Sequence, residues 1–200
     1  MAKANWVTVA PSSGSGNATV NVTSNGPHTG RNLRTSILTW KAAGVDDQTR
    51  YVSQAGKPEF VDVADTAVSE QAGQLVTISG VSNSARLTFS LGSGDLEISI
   101  PGYYIANSLQ TANGALISGD PGASAEYNFS IAITVPANTG VAELTRQIIV
   151  TNEAGQKDTC TLTLAAGNAY LEITLGTIEL GWEGNPVAVT VQSNTTWRIV

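Results

Sequence analysis

The chain has 200 residues, with 16 Asp and Glu against 10 Lys and Arg, for a formal net charge of −6. Its basic residues are not clustered, which argues against a sequence-independent grip on nucleic acid, and no run is long and apolar enough to span a bilayer. One cysteine excludes an intrachain disulfide, and one histidine, His28, excludes a His-based triad of known layout or a multi-histidine zinc site.

Charged residues make up 13% of the chain, while Gly, Ser, Thr, Asn and Val abound, a composition of short strands joined by polar turns. The length suits one large domain or two of about 100 residues. The start, Met1-Ala-Lys3, has no apolar leader and no lipobox cysteine, so a chain made in the cytoplasm is the expectation. Period-two alternation then predicts strands at Thr19–Thr23, Val76–Ser79, Asn128–Ile133, Gln147–Thr151 and Val187–Val191. In Arg34–Trp40 the same alternation sets Ser36, Leu38 and Trp40 on one face, which points to burial of Trp40. Cys160, in Thr159-Cys-Thr-Leu-Thr-Leu164, reads as a small strand residue. No window carries a helical stripe.

An internal repeat organises these strands. Phe60-Val-Asp-Val63 matches Tyr170-Leu-Glu-Ile173, and Gly73–Asn83 matches Gly184–Asn194 position for position, ending on Ser-Asn in both. Each copy then enters a further strand, Arg86–Ser90 or Trp197–Val200. A second match runs from Val20-Asn-Val-Thr23, through Asn25, to Arg34–Thr39, against Ile131-Ala-Ile-Thr134, Asn138 and Arg146–Thr151. Those copies finish at Gln54-Ala-Gly56 and Ala165-Ala-Gly167. The order implied is a closing half of a β-sandwich (1–56), a complete sandwich (57–168) and an opening half (169–200). The complete copy carries extra length at about 91–126, including Ile100-Pro-Gly-Tyr-Tyr104, and such an insertion is expected to be functional surface rather than core.

The series Trp6-x-x-Val-x-Pro11-x-Ser-Gly14, Asn25, Arg34-Thr-Ser-Ile-Leu38 and Val52-Ser-Gln54-Ala-Gly56 resembles the BACON domain, an immunoglobulin-like β-sandwich of surface and glycan-processing proteins in gut Bacteroidetes. The front of that pattern is supplied at the other end by Val191-Gln-Ser-Asn194-Thr-Thr-Trp197. The stretch 57–168 departs from it, lacking the closing Gln at Leu164-Ala-Ala-Gly167 and carrying the insertion. The resemblance implies an all-β chain of tandem immunoglobulin-like sandwiches, with one domain split between the chain ends. It also implies core places for Trp6 and Trp197, and no fixed catalytic residues. Such domains occur in virion proteins of phages of these bacteria, crAss-like ones included. The resemblance therefore implies a head or tail decoration protein, found in the virion, whose partners are other copies of itself and virion proteins. The alternative is a carbohydrate-binding or spacer module on a bacterial cell surface, with glycans as partner.

No enzyme chemistry is nominated. Asp46, Asp47, Asp62, Asp65, Glu70, Asp95 and Glu97 are the acids available for glycan hydrolysis, but their spacing singles out no pair. No cofactor and no metal is expected. Aromatic faces stack on sugars and anchor protein contacts, which makes Tyr103, Tyr104 and the turn residue Trp182 the candidate surface-binding residues. The candidate strand-exchange segment is Val187, Val189, Val191, Trp197 and Ile199. Its opening strands have three fates: pairing with 1–56 of the next subunit, folding back on 1–56 of the same chain, or continuing beyond residue 200. Short linkers at Gly56–Glu59 and Gly167–Ala169 favour pairing between subunits.

Overall fold

The computed structural model describes residues 3–200; Met1 and Ala2, where the leaderless start was read, lie outside the described residues. The fold is all-β. Among the described residues the sole helical element is a short 3₁₀ turn at Pro121–Ala123.

Between Val61 and Leu164 two sheets face each other as a β-sandwich. One holds β5 (Val61–Val63), β7 (Leu75–Ser82), β9 (Tyr103–Ala106), β10 (Leu109–Ala112) and β11 (Tyr127–Thr134), in the order β10-β9-β11-β7-β5. The other holds β6 (Thr66–Ser69), β8 (Leu87–Gly94), β12 (Leu144–Asn152) and β13 (Lys157–Leu164), in the order β6-β13-β12-β8. Strand alternation dictates which side chains enter. In β11, Tyr127, Phe129, Ile131 and Ile133 are buried while Asn128, Ala132 and Thr134 are exposed. Across from them lie Val76 and Ile78 of β7, and the second sheet contributes Leu87, Phe89, Ile148, Val150, Cys160, Leu162 and Leu164. Phe89 packs its ring 4.9 Å from Tyr104 and 5.9 Å from Phe129. Burying each such side chain stabilises the fold by roughly 1.5–3 kcal/mol, so this unit has a core of its own.

Residues 3–56 form two separate two-stranded sheets: β1 (Val7–Ala10) with β2 (Asn21–Ser24), and β3 (Arg34–Trp40) with β4 (Gln48–Gln54). Their core is small, with Val7, Ser36 and Leu38 buried. Gln54 ties the sheets together. Its Oε1 accepts from Arg34 Nε at 2.9 Å and Ser24 Oγ at 2.9 Å, and its Nε2 donates to the Gly26 carbonyl at 3.1 Å. In the sandwich, where Ala165 stands at the corresponding place, Asn138 makes a similar tie, donating to the Ala142 and Ala165 carbonyls. Residues 169–200 form only the hairpin-like pair β14 (Leu171–Ile173) and β15 (Val191–Ser193).

Several expectations change. The insertion at 91–126 is not simply surface: Leu96, Tyr104, Ala106 and Ile117 lie in the core, because β9 extends the sheet beside β11. Trp40 follows the predicted face with Ser36 and Leu38 but stays 40% exposed, since nothing in residues 3–56 covers the end of β3. Trp6 is half-buried beneath Arg34, whose guanidinium sits 4.6 Å from its ring centroid. Trp197, given a core place by the family pattern, is 51% exposed because its segment has no facing sheet.

Candidate functional site

Asp62 and Asp65 line a shallow groove of about 710 Å³ together with Ser79, Gly80, Asn128 and Ser130. Among the described residues no three His, Cys, Asp or Glu side chains come close enough to hold a metal ion. His28 bonds the Asn32 carbonyl at 2.7 Å within its own loop. Of the displaced titrating groups, Cys160, Tyr104 and Tyr127 lie in the core. Burial pushes the Cys160 thiol up to about 11, with Asp65 and Asp158 adding to the effect. It likewise raises the Tyr104 and Tyr127 phenols. A buried thiol held neutral is a poor nucleophile.

The unusual surface lies at the chain's two ends. In residues 169–200, Leu171, Ile173, Leu180, Trp182, Trp197 and Ile199 are all at least half exposed, and Val187 is 40% exposed. The segment 169–200 thus concentrates exposed large apolar side chains, which on soluble proteins are usually scattered singly. In residues 3–56, β2, β3 and β4 each have one strand neighbour only, leaving open edges. Between the two small sheets lies an unfilled groove of about 600 Å³, lined by Val9, Pro11, Ala18, Val20, Ile37 and Trp40 among others. No strand of 3–56 pairs with a strand of 169–200 among the described residues.

The end segments attach to the sandwich through the same joint, made twice. At the first, Phe60 N–H donates to Asn83 Oδ1 at 2.9 Å and Ser82 Oγ donates to the Phe60 carbonyl at 2.6 Å. The Asn83 amide donates to the carbonyls of Thr29, Lys57 and Pro58 at 3.2–3.3 Å. At the second, Tyr170 N–H donates to Asn194 Oδ1 at 3.0 Å and Ser193 Oγ donates to the Tyr170 carbonyl at 2.9 Å. There the Asn194 amide donates to the carbonyls of Thr139 and Asn168, each at 2.9 Å. The strand register repeats as well: Val61 faces Ser82 and Val63 faces Gly80, as Leu171 faces Ser193 and Ile173 faces Val191.

The first joint is reinforced by the insertion. Arg31 pairs with Asp120, whose hydrogen bond raises the guanidinium pKa, and donates from Nη1 to the Asn83 carbonyl at 3.0 Å. Lys57 pairs with Glu126 at 3.2 Å, and the Arg31 and Asn32 amides bond the Gly122 and Ala123 carbonyls. A Cβ at Gly30 would collide with the Ser124 backbone, so the two units approach as closely as glycine permits. Arg31, Asp120 and Glu126 were not singled out from sequence, and neither was the joint; the repeated Ser-Asn is the signal that could have located it.

The predicted surface aromatics separate. Tyr103, on β9, is 59% exposed and Trp182 is 94% exposed, on different parts of the chain. Tyr104 is not a surface residue: β9 alternates, and its ring is 2% exposed against Phe89. In the exchange segment Val187, Val189 and Val191 occupy alternate positions, hence one face, with Val189 and Val191 half-buried, while Trp197 and Ile199 stand open.

Fold and surface together define a β-sandwich protein with unpaired strand edges at both ends. No family model matches the chain, and no curated protein matches it. Among solved structures, an endo-fucoidan hydrolase of glycoside hydrolase family 107 is similar over 82% of this chain, at 8% identity and a TM-score of 0.32. The chain spans 22% of that protein, and a likeness so slight says nothing about activity.

Proposed function

We propose that this is a non-enzymatic structural protein of a phage virion, a head or tail decoration protein built of tandem immunoglobulin-like sandwiches of the BACON kind. It assembles by exchanging strands between subunits. The observation that carries this reading is the presence in one chain of open strand edges in residues 3–56 and of exposed apolar side chains at 169–200. Bare edges next to bare apolar strands are an aggregation hazard unless a partner covers them, and assembly removes the hazard. The virion setting is supported by the resemblance to domains found in phage virion proteins. Partners on this reading are other copies of the chain and the shell beneath.

A second reading is favoured by Tyr103 and Trp182, which present aromatic faces to solvent: a carbohydrate-binding or spacer module of a cell-surface protein. Light scattering over a range of concentrations separates the two. The assembly reading expects a multimer that persists on dilution and no glycan affinity tighter than millimolar. The module reading expects a monomer that binds a glycan and loses it on Tyr103→Ala or Trp182→Ala.

A further inference from the structure

We infer that residues 176–200 of one copy complete the sheets of residues 3–56 in a second copy, in the register that β6, β7 and β8 take within the sandwich. This rests on the reading of the chain as a self-associating protein, and it specifies which edges meet. By the internal repeat, β2, β3 and β4 are the counterparts of β11, β12 and β13. In the sandwich, β11 is covered by β7, β12 by β8 and β13 by β6. The corresponding edges of β2, β3 and β4 are open, while β1, preceding β2 directly, takes the place of β9. The C-terminal segment repeats these covering strands: 176–179 for β6, 187–193 for β7, and Trp197 onward for β8.

The register follows from the sandwich. There Ile131 faces Ile78, Ala132 faces Thr77 and Ile133 faces Val76. Carried over, Val20 faces Val189, Asn21 faces Ala188 and Val22 faces Val187. Two positions further along, the same ladder gives an independent check on volume. Phe129 faces Gly80, and a Cβ at Gly80 would collide with both the Asp62 carbonyl oxygen of β5 and the Phe129 ring. The exchange segment has Val191 at the position of Gly80, and residues 3–56 have Ala18 at the position of Phe129. Large over small becomes small over large, so the ring that crowds Gly80 in the sandwich has no counterpart opposite Val191. Ala18 lines the unfilled groove.

A second copy is required because the two segments leave the sandwich at opposite poles. The first joint sits at Asn83, beyond the end of β7, and the second at Thr139, beyond the end of the antiparallel β11. At about 3.4 Å per residue, eight-residue strands hold the joints roughly 27 Å apart. Since the joint recurs, each copy is added in the same relation as the last. Such a heterologous contact closes as a ring or runs on as a fibre.

The test mixes full chains carrying Asn21→Cys with chains carrying Ala188→Cys under oxidation. Directly opposed Cα atoms in an antiparallel pair lie about 4.5–5.5 Å apart, within disulfide reach. Both positions are exposed, and the native Cys160 is buried. A disulfide-linked dimer from the mixture, and a ladder from the double variant, is the expected result. An internal bridge alone in the double variant overturns the inference in favour of closure within one chain. A multimer by light scattering with no bridge overturns the register but leaves the assembly reading standing. A monomer at all concentrations removes both. A compensating pair adds a second readout: Ala18→Phe should weaken association about tenfold or more, and adding Val191→Gly, which recreates the Phe129–Gly80 pair, should restore it. Failure of that rescue also overturns the register.

Discussion

Asn83 and Asn194 occupy the same place in the repeat but different surroundings. Asn83 is fully buried and satisfies the carbonyls of Thr29, Lys57 and Pro58 with one amide group, whereas the bonds of Asn194 to Thr139 and Asn168 are exposed to water. Removing a partner from buried polar groups costs about 1–3 kcal/mol, while water replaces a lost exposed bond. Asn83→Ala should therefore lower stability by about that amount in denaturant titration, and Asn194→Ala by well under 1 kcal/mol. Cys160 carries a second residue-scale prediction. Its thiol binds its proton more tightly folded than unfolded, because burial disfavours the thiolate. Stability from this source is fully present below the unfolded value near 9 and falls as pH rises towards 11. The raised Tyr104 and Tyr127 phenols act in the same direction above pH 10. Denaturation midpoints should fall between pH 9 and 11, and Cys160→Ala should flatten the lower part of that fall. An unchanged slope in the variant would assign the alkaline loss to other groups.

At the scale of elements, β7 and β15 differ where their partners differ. Gly80 sits in the middle of a strand, where glycine is normally unfavourable, at a point where the Asp62 carbonyl oxygen and the Phe129 ring both leave no room for a Cβ. Gly80→Val should destabilise the sandwich by about 1–3 kcal/mol through overpacking, read as a lowered thermal midpoint. Val191→Gly in the isolated chain should change that midpoint little, because β15 has no opposing layer. The strands themselves were legible in sequence wherever alternation was strong. Thr19–Thr23, Val76–Ser79, Asn128–Ile133 and Gln147–Thr151 all overlap observed strands. Val187–Val191 is strand only at its last residue, since a strand is held by its neighbours and this one has none for most of its length. Misjudged environments have the same origin. Alternation sets Trp40 and Tyr104 on their faces, but whether a face is covered depends on non-local pairing: β9 joins β11 and buries Tyr104, while no sheet reaches Trp40. The joint residues Arg31 and Asp120 lie far apart in sequence and belong to no periodic pattern, so only the fold brings them together.

For the whole molecule, stability is distributed unevenly. The sandwich holds a shared core running from Val63 to Leu164, while 169–200 has no fully buried side chain and 3–56 has few. Segments with little buried apolar contact open at low free-energy cost, so their amides exchange quickly, whereas core strands exchange only on global opening. In dilute solution β7, β11, β12 and β13 should be protected from hydrogen exchange, and residues 18–24 and 187–193 should not. Raising the concentration populates the assembled state by mass action. Protection at 18–24 and 187–193 should then rise together, because each segment supplies the other's hydrogen-bond partners, with 75–82 unchanged. Mass spectrometry of the exchanged chain at two concentrations reads this directly. Protection at 187–193 that is already full at the lowest concentration would mean that the segment closes on its own chain, and protection that never appears would leave the open edges of β2, β3 and β4 to a different partner.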